Sequence, residues 1–271
     1  RMKKKYTWLF SLLALALSMM VIFPLFAGIL GAFKQADEFL KPRLFPHSPT
    51  LENFEKVAGM LPIGRFFLNS LAVALLGAAV RMLMALLAAY AFSFYDFRGK
   101  KLLFFLLLGP MMLPGDILVV TNYQTVSSMH LLDTYLGMAI TSFVGATQMF
   151  MLRQQFIHTP RSLRESAFLD GCGDIRFMLS ILFPLSRPVL VTLFVQCFIN
   201  IWNVYLWPLL VTNRTDMRTI QVGITMLTPH DGTAFHLVLA GVTLSLIPAF
   251  ILFFCLRKAI ARSMEEGAMV G

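Results

Sequence analysis

Long apolar runs without charge constrain this chain more than any other feature of it. From Tyr6 to Phe33 no charged side chain occurs, which exceeds the roughly 20 residues a helix needs to cross the ~30 Å hydrocarbon layer of a bilayer. With 58% of its 271 residues hydrophobic, the chain is too apolar for a soluble domain. Six long apolar runs stand out, over residues 6–33, 66–95, 102–121, 134–152, 188–212 and 235–256, with Arg81 and Asp116 the only Asp, Glu, Lys or Arg residues inside them. Each satisfies its own backbone as a helix, which lipid demands. The expectation is an all-α, polytopic membrane protein of one domain with six transmembrane helices. Lys3, Lys4 and Lys5 and the stretch Ala14-Leu15-Ala16 mimic a cleaved leader. The apolar run is far longer than a leader's core, so it is read as a retained helix.

Orientation follows from the cations, since Lys and Arg near span ends stay on the cytoplasmic side. With both termini inside, the inner segments hold 15 of the 23 Lys and Arg residues, the outer segments hold seven, and Arg81 lies within a span. The net charge of +9 is therefore a topology signal in contact with membrane lipid, and does not point to nucleic acid. Cys172 falls in a cytoplasmic loop and Cys197 and Cys255 in spans, so no disulfide is expected. No metal-ligand spacing occurs, and the five histidines are scattered.

The hydrophilic segment 153–187, set between two spans, carries the functional argument. Pro160 can open a helix, Leu163, Ala167 and Asp170 recur at helical spacing, and Gly171 ends it where the chain must reverse. A second short amphipathic stretch from Asp174 to Leu182 is stopped by Pro184 and Pro188. The pattern is helix, glycine turn, helix, with Glu165 projecting toward a basic groove on a partner. A plain solvated loop has the same cap-and-stop pattern.

Glu165-Ser166-Ala167, three residues, Gly171, nine residues, Ile181, one residue, Phe183-Pro184 resembles the Glu-Ala-Ala loop of permease subunits of binding-protein-dependent ABC importers. Ser166 replaces Ala and Phe183 replaces Leu in that pattern. Asn69-Ser70, Ala89-Tyr90-Ala91, Met112-Leu113-Pro114, Trp202-Asn203, Leu206-Trp207-Pro208 and the tail Gly267–Gly271 resemble the carbohydrate-uptake branch, in particular its maltose-type and glycerol-3-phosphate-type second permeases. In the tail, Met269-Val270 stands where Val-Lys is usual. The resemblance implies a type I importer permease fold and a homologous second permease. It also implies two cytoplasmic ATPase subunits that bind ATP and Mg, and an extracytoplasmic solute-binding protein. It makes the 153–187 loop the coupling element, with Glu165 as polar anchor and Gly171 as turn. No Gly-x-x-x-x-Gly-Lys-Ser/Thr loop occurs, so the chain is not itself the ATPase and carries no catalytic residue or cofactor of its own.

Polar residues inside spans mark the pathway, because lipid makes them costly elsewhere. Gln196, Asn200 and Asn203 fall at i, i+4 and i+7 on one face, and Trp207 continues that stripe. Amides beside an aromatic platform suit sugar hydroxyls, and they equally suit hydrogen bonds between helices. Thr141, Thr147 and Gln148 are weaker candidates. Arg81 falls at mid-membrane, where a cation costs about 2.5–3.5 kcal/mol on insertion scales. It either faces the cavity, favouring an anionic solute such as a glycerol phosphate or acidic oligosaccharide, or pairs with an acid, for which Asp116 is nearest. Pro24, Pro110, Pro114, Pro208 and Pro248 interrupt spans, where such breaks mark kinks or binding sites or serve only to tune packing. The outer segment 212–235 is long enough to contact a docked binding protein or to reach into the cavity mouth, and a plain surface loop has the same composition. A secondary transporter would need internal repeats and paired midplane acids, and a membrane enzyme would need converging catalytic groups; neither pattern is present.

Overall fold

The computed structural model describes residues 7–39, 41, 43–112, 115–227 and 234–269, with the side chains of residues 7, 9, 110, 112, 115, 116, 253 and 256–269 excepted. Asp116, Leu113-Pro114 and the tail dipeptide Val270-Gly271, all used above, thus lie wholly or by their side chains outside the described residues. Among the described residues the regular structure is helical throughout. The elements that matter below are α1 (Thr7–Ala32), α2 (Glu52–Met60), α3 (Ile63–Phe94), α4 (Lys100–Leu108), α5 (Val119–Ser128), α6 (Tyr135–Ala139), α7 (Ala146–Ile157), α8 (Arg161–Leu169), α9 (Asp174–Phe177), α10 (Arg187–Trp202), α11 (Leu206–Val211), α12 (Ile220–Thr225) and α13 (Phe235–Met269).

The chain divides into two compact units, residues 1–64 with 222–247, and residues 65–221 with 248–271. In the first, every side chain from Phe10 to Phe26 is exposed, as befits an apolar helix whose natural surroundings are lipid or another subunit. Where α1 ends, its last carbonyls lose their intrahelical partners. Asn53, buried on α2, supplies donors: its Nδ2 gives hydrogen bonds of 2.7 Å to the carbonyls of both Ala32 and Lys34.

The second unit is organised around α3. Its buried face runs through Phe66, Asn69, Val73, Ala74, Ala78, Ala85 and Ala89, a helical period of three and four. The small residues on that face let neighbours approach closely. A methyl group at Gly77 would come within 2.9 Å of Ile201 Cδ1 on α10. Toward the end of α3 the core widens into Tyr90, Phe92, Phe156, Phe177 and Leu182.

Against the six spans expected, the described helices give three to five candidates. Among the described residues, three helical stretches are long and apolar enough to cross a membrane, Phe10–Ala32, Ile63–Phe94 and Phe235–Leu252, and the total reaches five if each of two bent pairs counts as one span. Those pairs are Tyr135–Ser142 with Ala146–Ile157, bent by 51°, and Asp174–Leu185 with Arg187–Trp202, bent by 84°. The run expected over 102–121 is α4 followed by two short 3₁₀ turns, Gly109–Met112 and Gly115–Leu118. Gly and Pro there remove the donors and the stiffness a continuous helix needs. The run expected over 188–212 breaks at 203–205, between α10 and α11. The last run, by contrast, continues as helix well past 256, to Met269.

Candidate functional site

Three places bring the singled-out residues together, all within the second unit. In the segment 153–187, α8 forms where expected and ends in a Schellman turn. Gly171 N–H donates to the Phe168 carbonyl (3.0 Å), Cys172 N–H donates to the Ala167 carbonyl (2.9 Å), and Gly171 has φ +76°. A methyl group at Gly171 would meet nothing. The glycine is required by the left-handed backbone rather than by crowding.

Ala167 is the one member of the Glu165-Ser166-Ala167 triplet that points inward, 7% exposed and within the same core as Tyr90 and Phe177. Glu165, Ser166, Asp170 and Gly171 are exposed. Ile181 is half-buried against that core, and Pro184 is exposed at the elbow. The elbow has a local cause. A π turn, Met178–Leu182, runs into Phe183-Pro184, where proline lacks the N–H and its ring crowds the preceding turn. The chain then swings through Ser186 into α10.

Two features of this segment have no sequence signature. The turn is flanked by apolar side chains facing solvent, Leu169 at 89% and Ile175 at 72% exposure. Behind it, three elements converge on one carboxylate. Tyr90 on α3 donates its hydroxyl to Asp174 Oδ1 at 2.6 Å, and Arg164 on α8 donates from Nη2 to the same oxygen at 3.1 Å. The Arg164 guanidinium also lies 4.7 Å from the Phe168 ring centroid and 5.4 Å from that of Phe94, within cation–π range. The Tyr90 hydroxyl first, with Tyr95 and Arg164 beside it, holds the Asp174 carboxyl below its usual range.

The second place is the middle of α3. Arg81 Nε donates to the carbonyl of Ser142 at 2.5 Å, where the 51° break leaves a carbonyl without its helical partner. Among the described residues no carboxylate lies within ion-pair distance of Arg81. The contact needs Gly145, because a methyl group there would come within 2.7 Å of Arg81 Cδ and 2.2 Å of Gln148 Oε1. Gln196, Asn200 and Asn203 all face outward, the first two from α10 and the third at its C-terminus. Asn203 Oδ1 accepts from Gln221 Nε2 at 3.2 Å. Trp207 does not extend that stripe. The helix stops at Trp202, and Trp207 sits on α11, buried, with its indole N–H donating to the Gly137 carbonyl at 3.1 Å. Thr147 and Gln148 belong to α7, and Gln148 is buried. Beside α3 an apolar groove of about 830 Å³ opens between Met82, Leu83 and Leu86 on one side and Pro184, Arg187 and Leu190 on the other.

The third place gathers the opposite end of α3. Asn69, 1% exposed, donates from Nδ2 to the carbonyls of Asp216 and Arg218, both at 2.9 Å, and accepts the Tyr135 hydroxyl at 2.8 Å. Ser70 Oγ accepts from Ile220 N–H at 2.8 Å. Asp133, in the left-handed region at φ +55°, accepts from the Asn213 and Arg214 N–H groups at 2.7 and 2.9 Å. Segment 213–220 is thus held on two sides, while Arg65 and Arg214 flank an Asp216 whose carboxyl Arg214 holds below its usual range.

Comparison with known proteins agrees with this arrangement. The family model described as "Binding-protein-dependent transport system inner membrane component" matches residues 82–266. The sn-glycerol-3-phosphate transport system permease protein UgpE of Escherichia coli (strain K12) is 32% identical over 256 residues, covering 91% of each chain. The arabinooligosaccharides transport system permease protein AraQ of Bacillus subtilis (strain 168) is 27% identical over 266 residues, 96% of this chain and 95% of that one. In fold, a chain of a bacterial ABC transporter involved in the import of the acidic polysaccharide alginate superposes with a TM-score of 0.82 at 18% identity, over 96% of this chain and 98% of that one. A chain of a bacterial alginate ABC transporter in complex with an alginate pentasaccharide-bound periplasmic protein gives 0.70 at 16% identity, over 96% of each.

Proposed function

We propose that this chain, which belongs to the family of binding-protein-dependent transport system inner membrane components, forms one half of the pathway of an ATP-driven importer for carbohydrates or carbohydrate-derived solutes. Its relatives' names, sugar oligomers and a sugar-derived phosphate ester, support the substrate class. In this reading six membrane crossings are made, some by broken helices, with both termini in the cytoplasm. A homologous second permease completes the pathway, a solute-binding protein delivers the substrate outside, and two ATPase subunits hold ATP and Mg inside.

The observation that carries the coupling role is the tip of segment 153–187. It presents Glu165 and Leu169 on α8, Gly171 in the turn and Ile175 on α9 to solvent, while the other side of α8 is buried through Ala167. Apolar side chains standing free beside a carboxylate suit a partner cleft with an apolar floor and a cationic rim. ATP-driven closure of the ATPase pair then moves the seated helix, and the bent helices switch between inward-facing and outward-facing forms.

The exposed amides Gln196, Asn200 and Asn203 face the solute. Arg81 acts as a structural donor to the broken fourth run, and any preference for an anionic solute arises elsewhere.

Replacing Glu165 with Lys tests the docking reading. The expected result is a correctly inserted chain that loses its ATPase on purification and no longer transports; unchanged copurification and uptake would remove Glu165 from the site.

A further inference from the structure

We propose that Tyr90, Asp174 and Arg164 form a latch that transmits movement of the docking helix into α3, and so sets how much solute is carried per ATP. The proposal rests on the reading that segment 153–187 seats in the ATPase. Beside the Asp174 carboxylate, the segment meets α3 through a long hydrogen bond from Arg153 Nε to the Phe92 carbonyl (3.4 Å), through the Arg164 guanidinium over the Phe94 ring, and for the remainder through an apolar core shared by Ala167, Phe177, Leu182, Tyr90 and Phe92. Its rings meet edge-on, with Phe94 and Phe177 centroids 5.9 Å apart at 89°. Apolar faces resist separation but sliding costs them little, because burial is nearly independent of register.

Hydrogen bonds to one oxygen are different, since their strength falls steeply with distance and angle. Asp174 Oδ1 takes the Tyr90 hydroxyl at 2.6 Å from α3 and the Arg164 guanidinium at 3.1 Å from α8. Asp174 itself opens α9, just beyond the Gly171 turn. One carboxylate therefore ties both arms of the docking hairpin to the longest helix of the second unit. Tyr90 is 6% exposed, so its hydroxyl is aimed rather than free to wander. Farther along the same α3, Arg81 holds the break before α7, which gives a push at Tyr90 a rigid path toward a bent element. None of the three latch residues faces solvent as Glu165 does. They are positioning residues that act through the docking helix.

The test uses the complete complex in proteoliposomes with its binding protein, measuring ATP hydrolysis and solute uptake together. Tyr90→Phe removes only the hydroxyl and Asp174→Asn removes the charge. The expected result is that the ATPase copurifies as before and hydrolysis stays near its normal rate, while solute carried per ATP falls about fivefold or more. The double variant should be no worse than the poorer single one, because both remove the same bond. Unchanged solute per ATP, with only a lowered melting temperature, would reduce the latch to structural glue and overturn the proposal. Loss of the ATPase on purification would overturn it as well, since the triad would then serve docking. Failure of the docking reading shows separately: Leu169→Cys in the otherwise unaltered complex would form no cross-link to the ATPase.

Discussion

Arg81 gives the hydrogen of its Nε to the backbone carbonyl of Ser142, 61 residues away, at 2.5 Å. A charge at mid-helix is thereby matched to the carbonyl that a broken neighbour leaves open. Replacing Arg81 with Met should lower stability by about 1–3 kcal/mol, the cost of an unmatched carbonyl, and should depress uptake of neutral and anionic solutes alike. Thermal melting of the purified complex with parallel uptake assays checks both; selective loss of anionic uptake would return Arg81 to the solute site.

At Gly171 the backbone alone forces the residue. Gly171→Ala meets no steric obstacle outside the backbone, yet should cost roughly 1–2 kcal/mol for a side chain in the left-handed region. Reduced ATPase copurification at raised temperature is the expected sign, and full retention would contradict it.

Asn69 carries three hydrogen bonds from one buried amide. Asn69→Ala leaves two carbonyls and a hydroxyl without their partner and should cost about 2–3 kcal/mol. Limited proteolysis should then cut within 213–220, a segment expected to resist in the parent chain.

Much of this was legible in advance and some of it could not have been. Helix α1 follows from an uncharged apolar run and the end of α3 from a long apolar run broken only by Arg81, and α8 from Pro160 and Gly171, whose effects are local. The breaks at 143–145 and 203–205 were missed because hydropathy averages over a window longer than the break. The expected stripe from Gln196 to Trp207 failed for the same reason: a helical period extrapolated through 203–205 has no meaning once the helix ends at Trp202. The Arg81 contact with the Ser142 carbonyl leaves no trace in residue identity, because any residue at 142 offers the same backbone group. Likewise Tyr90 and Asp174 stand 84 residues apart, and Leu169 and Ile175 gain meaning only when the fold leaves them uncovered. The pair Asn69-Ser70 carries part of the family resemblance, and the structure gives it a physical use as the anchor of 213–220.

The pH response of the latch follows from Asp174. Its folded-state pKa is depressed from the ordinary 3.8, chiefly by the Tyr90 hydroxyl, so its contribution is complete above the unfolded value and lost as pH falls through the folded one. The ratio of solute to ATP should hold steady from about pH 8 to 5. A decline already present near neutrality would show that another group controls it.

The central claim, that this chain couples a loaded binding protein outside to ATP hydrolysis inside, is tested most directly by reconstituting it with its second permease and ATPase subunits. ATP hydrolysis is then followed as binding protein is added with and without candidate carbohydrates. The account predicts stimulation by the loaded binding protein, abolished by Glu165→Lys. Hydrolysis indifferent to the binding protein, or stimulation that survives Glu165→Lys intact, would contradict it.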